Sequence, residues 1–153
     1  MTRERLPLWR CPKCGEQFTT RHQWHSCGSF DIEDLFASCD KEVRRLYERF
    51  LEIVQECGPV KVIPQKSRIV FQVRMRFAAV MPQKKSLRGH VILAHRQDAS
   101  CFHKVETFSP RNHLHAFRLE SEEDLGRDLR HWVCEAYKVG CQDHIHDGAA
   151  RTV

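Results

Sequence analysis

From Cys57 through Gln97 the chain contains no Asp and no Glu, while the same stretch carries nine Lys or Arg. The whole chain has 153 residues, 20 acidic groups and a net charge of +5. Its acids are therefore concentrated outside that stretch, and the molecule is electrically polarised. An acid-free stretch excludes the clustered carboxylates with which a metal-dependent nuclease holds Mg²⁺. No apolar run approaches the ~20 residues of a membrane span. The opening MTRERLPLWRCPKC has no apolar core of a secretory signal. There is no Walker loop, no G-x-G-x-x-G and no H-E-x-x-H. No Ser/His/Asp or Cys/His set declares a nucleophile. The reading leans away from an enzyme, and no membrane partner is expected.

Cysteine, by contrast, is abundant at eight. Without an export signal, and with Cys39, Cys57 and Cys134 inside apolar helical patterns, the expectation is a reduced, cytoplasmic protein with one metal site. Cys11-Pro-Lys-Cys14-Gly15 is a C-x-x-C turn that aims two thiolates at one point, and Gly15 tolerates an unusual backbone. A structural zinc needs two more ligands. His25 and Cys27 return after a loop of suitable length, and residues two apart in an extended segment point the same way. The expected set is Cys11, Cys14, His25 and Cys27, with His22 able to replace His25. A redox pair at Cys11/Cys14 is the alternative. Four protein ligands leave no open position, so this zinc would hold the fold and do no chemistry. Cys141, His144 and His146 lie in a polar tail, lack a fourth ligand and read as incidental.

Residues 1–29 form a short zinc-knuckle-like segment whose Trp9 and Trp24 could dock a protein partner or tuck against the main domain. Residues 30–143 form that domain, and 144–153 a flexible tail. Asp31 is positioned to cap a helix over IEDLF. In DKEVRRLYERFLEIVQEC, Val43, Leu46, Tyr47, Phe50, Leu51, Val54 and Cys57 recur at three- and four-residue steps, and Gly58-Pro59 ends the helix. The period then changes to two. SRIVFQVRMRF, SLRGHVILAH, CFHKVETF and HLHAFRL predict strands. Ser121-Glu-Glu-Asp124 reads as a capping box that opens a last helix ending near Gly140. The order predicts an α+β fold: knuckle, helix, a four- to five-stranded mostly antiparallel meander, C-terminal helix, with the helices on one face.

If SRIVFQVRMRF is one strand, Arg68, Arg74 and Arg76 share its polar side. Arg88 and His90 share a side of the next strand. Lys66, Lys84 and Lys85 fall in the flanking turns. Cations placed side by side repel unless an anion lies between them, and the Arg fork matches phosphate. Lys66, Arg68, Arg74, Arg76, Lys84, Lys85, Arg88 and His90 are therefore the candidate anion-binding set. Nucleic acid or another phosphate-bearing ligand is the expected partner. A small anion gripped by Arg76 and His90, in a binding domain or an enzyme, is the alternative. His113 and His115 read as structural histidines.

LWRCPKCGEQF, WHSCGSF, IEDLF, GPVKVIPQKSRIVFQVRMRFAAVMPQKKSL and SEEDLGRDLRHWVCEAYKVGCQDH together resemble an uncharacterised bacterial domain-of-unknown-function family, of the domain of unknown function 5655 type. The resemblance spans nearly the whole chain. It implies a nucleic-acid context, through attachment of the core domain to a predicted nuclease-like domain, and it favours His25 over His22. The layout is also similar to frataxin-like domains, whose acidic, iron-facing surfaces these basic strands do not match.

Overall fold

Asp31 caps a helix, as its position before IEDLF predicts. In the computed structural model its Oδ1 accepts a hydrogen bond from the Glu33 N–H at 2.9 Å, and α1 spans Ile32–Phe36. Helix α2 (Lys41–Cys57) follows, with its first N–H groups preceded by Asp40, whose own N–H donates to Lys84 O at 2.8 Å. The structure describes residues 7–19 and 30–142. Val43, Leu46, Tyr47, Phe50, Ile53 and Val54 are the buried stripe of α2. Ile53 takes a fully buried place, and Leu51 sits half-buried at the margin.

The strands are β1 (Trp9–Arg10), β2 (Gln17–Phe18), β3 (Lys61–Pro64), β4 (Ile69–Gln72), β5 (Arg76–Pro82), β6 (Leu87–Leu93), β7 (Lys104–Ser109) and β8 (Asn112–Leu119); α3 is Arg127–Gly140. The class is α+β. β1 and β2 pair as a small hairpin, and the others form a six-stranded sheet in the order β3-β4-β5-β6-β8-β7. Every neighbouring pair in it is antiparallel.

Three expectations need correction. The sheet has six strands rather than four or five, because SRIVFQVRMRF is two strands joined by a hairpin at residues 73–75. Gly140 O, at the end of α3, holds that hairpin by accepting from both Arg74 N–H and Met75 N–H at 2.9 Å. Both arms keep period two, so the turn between them is invisible to the pattern. The register shifts at Phe71/Gln72 opposite Arg76 and Ala78, and the bulge carries Phe77 to the helix side, against Tyr137 with ring centroids 5.5 Å apart.

The second correction concerns the meander, which is broken at its end. β8 lies between β6 and β7, so residues 94–103 must cross the sheet. They cross on the helix side, where Phe102 meets His115 at 4.9 Å and Trp132 at 6.4 Å. Third, the capping residues close only a 3₁₀ turn, Glu122–Asp124, in which Asp124 Oδ2 accepts from Glu120 N–H at 2.7 Å and Ser121 N–H at 3.1 Å. Helix α3 starts afterwards, behind Gly126.

Both long helices cover one face of the sheet, with α3 on β5 and β6 and α2 beside it. Phe50 has no exposed surface and meets the rings of Phe71 and Phe117 at 5.5 Å each. Gly89 is a site of close approach: a Cβ there would collide with the Phe117 ring and the Ala79 carbonyl. The cysteines depart from full reduction, since Cys57 at the end of α2 and Cys134 in α3 form a disulfide with Cα atoms 5.6 Å apart. Cross-linking positions 77 apart in sequence removes chain entropy from the unfolded state, a stabilisation of about 4.5 kcal/mol in the loop-entropy account. No helix among the described residues is long and apolar enough to cross a membrane.

Candidate anion-binding face

The pleat assigns each residue of the sheet to one side. Phe71, Ala78, Val91 and His115 lie in a row facing the helices. On the opposite face, Val70, Ala79, His90, Ala116 and Lys104 lie in a parallel row. Two alanines flank His90, and the centre of this face is covered: Val70 is 4 % and Ala79 2 % exposed. Arg68 enters it from the turn before β4, and Arg76 from the start of β5.

Arg68 acts on both Arg76 and His90. Burial is the main cause that lowers the Arg76 pKa. Glu16 and Cys14 oppose the shift, while Arg68 adds to it. The His90 pKa falls to about 4, first through burial, then through Arg68, with a partial offset from Glu106. His90 is thus neutral at pH 7 and can accept or donate a hydrogen bond without adding charge.

The turns around β3–β4 and β5–β6 lie at the same end of the sheet, because the strands alternate in direction. Lys66 and Arg68 occupy the first turn, and Lys84 and Lys85 the second. Arg88 stands on the open face near that end, directly across from Arg118 on β8. All six side chains are exposed. Among the described residues, Lys66, Arg68, Lys84, Lys85 and Arg88 make no ion pair, whereas Arg118 Nε lies 3.5 Å from Glu120. The helix carboxylates do not reach them. Glu33 and Glu48 pair with Arg44, Glu42 with Arg45, Glu52 and Glu122 with Arg49, and Glu56 with Arg130.

The N-terminal hairpin lies against the other end of the same face. Gln72 Nε2 donates to Gln17 O. Glu16 Oε2, sealed from solvent, is 2.6 Å from Lys61 Nζ. Phe18, 2 % exposed, lies under the Arg76 guanidinium with 4.9 Å between Cζ and ring centroid. Arg76 Nε donates to Gln72 Oε1 at 3.3 Å, and its buried Nη2 donates to no described residue.

The predicted set therefore divides. Lys66, Arg68, Lys84, Lys85 and Arg88 gather at one end, and Arg76 and His90 lie further along the face. Arg74 leaves the set: the hairpin at 73–75 turns it toward the end of α3, where its Nε donates to Gln142 Oε1 at 2.7 Å. The one-strand alternation placed it wrongly. Arg118 went unnoticed because it lies outside the acid-free stretch, although the alternation of HLHAFRL sets it opposite Phe117 and Leu119. Nothing in the sequence showed that Glu16, Gln17 and Phe18 cover Lys61, Gln72 and Arg76.

Of the expected metal ligands, His25 and Cys27 lie outside the described residues. So do Trp24 and the alternative ligand His22. In the described half, Gly15 N–H donates to Cys11 O at 2.9 Å, Cys11 N–H to Glu16 O at 2.8 Å, and Gly15 has φ 77°. Among the described residues no three metal-binding side chains gather. His113 and His115 are satisfied within the fold. His115 Nδ1 donates to His113 O at 2.8 Å and its Nε2 accepts from Gln97 N–H at 2.9 Å, which fixes a neutral ring. His113 bridges Thr107 Oγ1 at 3.0 Å and Pro110 O at 3.1 Å.

A family profile described as Domain of unknown function (DUF5655) matches residues 32–140. No curated protein and no solved structure matches the chain.

Proposed function

Because the chain belongs to the DUF5655 family of domains of unknown function, an assignment that brings no activity with it, we propose from its own geometry that it is a non-catalytic module that binds nucleic acid or another polyanion. The exposed basic end of this sheet face is the binding surface. One observation carries this reading: Lys66, Arg68, Lys84, Lys85 and Arg88 share one end of the sheet and have no carboxylate partner among the described residues, while Glu33, Glu42, Glu48, Glu52 and Glu56 pair with helix cations. Contacts of this kind read phosphate backbone, not sequence. The described face carries no row of exposed aromatic rings for base stacking. Fluorescence anisotropy with a random-sequence oligonucleotide across salt concentrations is the test. Affinity falls steeply with salt if the reading holds, and absence of binding at low salt ends it.

A second reading is a small phosphate or carboxylate ligand held by Arg68, Arg76 and His90. The buried, unmet Nη2 of Arg76 favours it. Inorganic phosphate, nucleotides and organic acids raising the melting temperature in proportion to concentration, with no oligonucleotide binding, distinguish it from the first.

Zinc bound by Cys11, Cys14, His25 and Cys27 completes the proposal and would supply structural cross-linking of residues 11–27. The hairpin at Cys11–Gly15, with Gly15 at positive φ, suits thiolate ligation. Native mass spectrometry shows one zinc per chain, and Cys14→Ser releases it. Retention by that variant removes this ligand set. A cytoplasmic setting keeps these thiols reduced, while the Cys57–Cys134 bond pulls the other way. Thiol counting in rapidly quenched cells decides between them.

A further inference from the structure

We propose that Glu16 is a built-in competitor for the basic face: its carboxylate occupies an anion subsite between Lys61 and Arg76 that a phosphate group of the ligand takes over. The inference rests on the polyanion reading above and adds its regulation. Glu16 Oε2 is sealed from solvent at 2.6 Å from Lys61 Nζ. The same carboxylate is the largest attraction acting on Arg76, yet no ion pair within contact distance joins the two among the described residues. Glu16 thus neutralises Lys61 directly and Arg76 only through space.

Arg76 is fixed for an anion that is larger than a carboxylate. Its Nε is held by Gln72, its flat face by the Phe18 ring, and its Nη2 is buried and unmet. A guanidinium in that state presents its remaining N–H groups along a set direction. A phosphate has more acceptor oxygens at a wider spread than a single carboxylate oxygen, and can accept from Lys61 and Arg76 together. The hairpin need not leave when this happens. Its anchor is the backbone carbonyl of Gln17 on Gln72, and the Glu16 main chain is held by Cys11 N–H. Rotation of the Glu16 side chain out of the subsite is enough.

The test uses the full chain and a labelled random-sequence single-stranded oligonucleotide. Glu16→Gln is expected to bind about three- to tenfold more tightly at low salt, with the slope of log K against log salt steeper by about 0.7 for each cation released to phosphate. Glu16→Asp keeps a charge of the same sign and gains little, which separates charge from any loosening of the hairpin. Lys61→Gln changes little in the native chain, where Lys61 is already paired, and abolishes most of the gain in the Glu16→Gln background. That non-additivity is the signature of a shared subsite. If Glu16→Gln matches the native affinity and slope, or if Glu16→Asp gains as much, the competitor is refuted while the basic face stands. If no variant binds at any salt concentration, the reading of the face fails and this inference fails with it.

Discussion

The two sides of one sheet handle charge in opposite ways. On the helix side, acids and bases come from the same or neighbouring elements and satisfy one another: Arg44 takes Glu33 and Glu48, Arg49 takes Glu52 and Glu122, and Lys138 takes Glu135. On the other side, a stretch without a single acid from Cys57 to Gln97 presents cations, and the acids paired there are Glu16 with Lys61, Glu106 with Lys104 and Glu120 with Arg118. Both arrangements use exposed side chains, so composition alone does not tell them apart. Connectivity does. A helix brings residues three and four apart together, and the sequence of α2 alternates sign at that spacing. A strand brings together residues two apart and residues from its neighbours, and here the acid that the six strands carry, Glu106, pairs with Lys104.

The comparison predicts that helix-side changes alter stability and open-face changes alter binding. The largest effect belongs to the core. Phe50→Ala removes a fully buried ring between Phe71 and Phe117 and is expected to cost about 3–5 kcal/mol of folding stability, read from urea midpoints. Oligonucleotide affinity, measured where the variant is still folded, stays at the native value. A comparable loss of affinity in the folded variant would join the two sides and end the distinction.

Next in size is His90. Its folded pKa of about 4 lies below the ordinary 6.5, so the folded chain refuses a proton that the unfolded chain accepts. Its contribution is present above pH 6.5 and is lost as pH falls toward 4, by about 3 kcal/mol over that window. His115, lowered chiefly by burial, acts in the same direction. Urea midpoints at neutral and acidic pH are expected to converge more in His90→Asn than in the native chain. An unchanged pH dependence would mean that His90 is not held neutral. Then comes the basic end: replacing Lys66, Lys84, Lys85 and Arg88 together with Gln removes four phosphate contacts. That should weaken duplex binding by roughly a hundredfold at low salt and flatten the salt slope by about 0.9 per contact. Folding stability should hardly move, since all four are exposed and none is paired among the described residues.

Much of this arrangement was legible in the sequence. The Asp31 cap, the stripe of α2, its stop at Gly58 and the end of α3 at Gly140 all follow from local chemistry and spacing. The acid-free stretch named Lys66, Arg68, Lys84, Lys85 and Arg88, and alternate turns of antiparallel strands, β3–β4 and β5–β6, fall at one end of the sheet. What escaped were features decided at a distance. Arg74 was misplaced because the carbonyl of Gly140, far along the chain, folds a hairpin into a continuous alternating pattern. The inversion of β7 and β8 depends on where residues 94–103 find an apolar bed, on Phe102 against His115 and Trp132. The docking of Glu16, Gln17 and Phe18 onto β3, β4 and β5 joins two segments with no shared periodicity. The pairing of Cys57 with Cys134 requires two helices to be adjacent, which their separate patterns do not state.

The smallest predicted effect tests the distinction most sharply. Arg44 is as cationic as Lys84, and it is paired to Glu33 at 2.9 Å and Glu48 at 3.3 Å while lying over the Phe36 ring at 5.0 Å. Arg44→Gln is expected to lower stability by about 0.5–1 kcal/mol, since exposed pairs and a ring contact each contribute only fractions of that scale. It should leave oligonucleotide affinity within about twofold, because a cation already neutralised by two carboxylates releases no counterion on binding. Lys84→Gln should show the reverse, with unchanged stability and a flatter salt slope. Total positive charge falls by one in both variants. If both weaken binding equally, the ligand responds to net charge alone and the open face has no special standing; if only Lys84→Gln does, the position of the charge on the sheet is what the ligand reads.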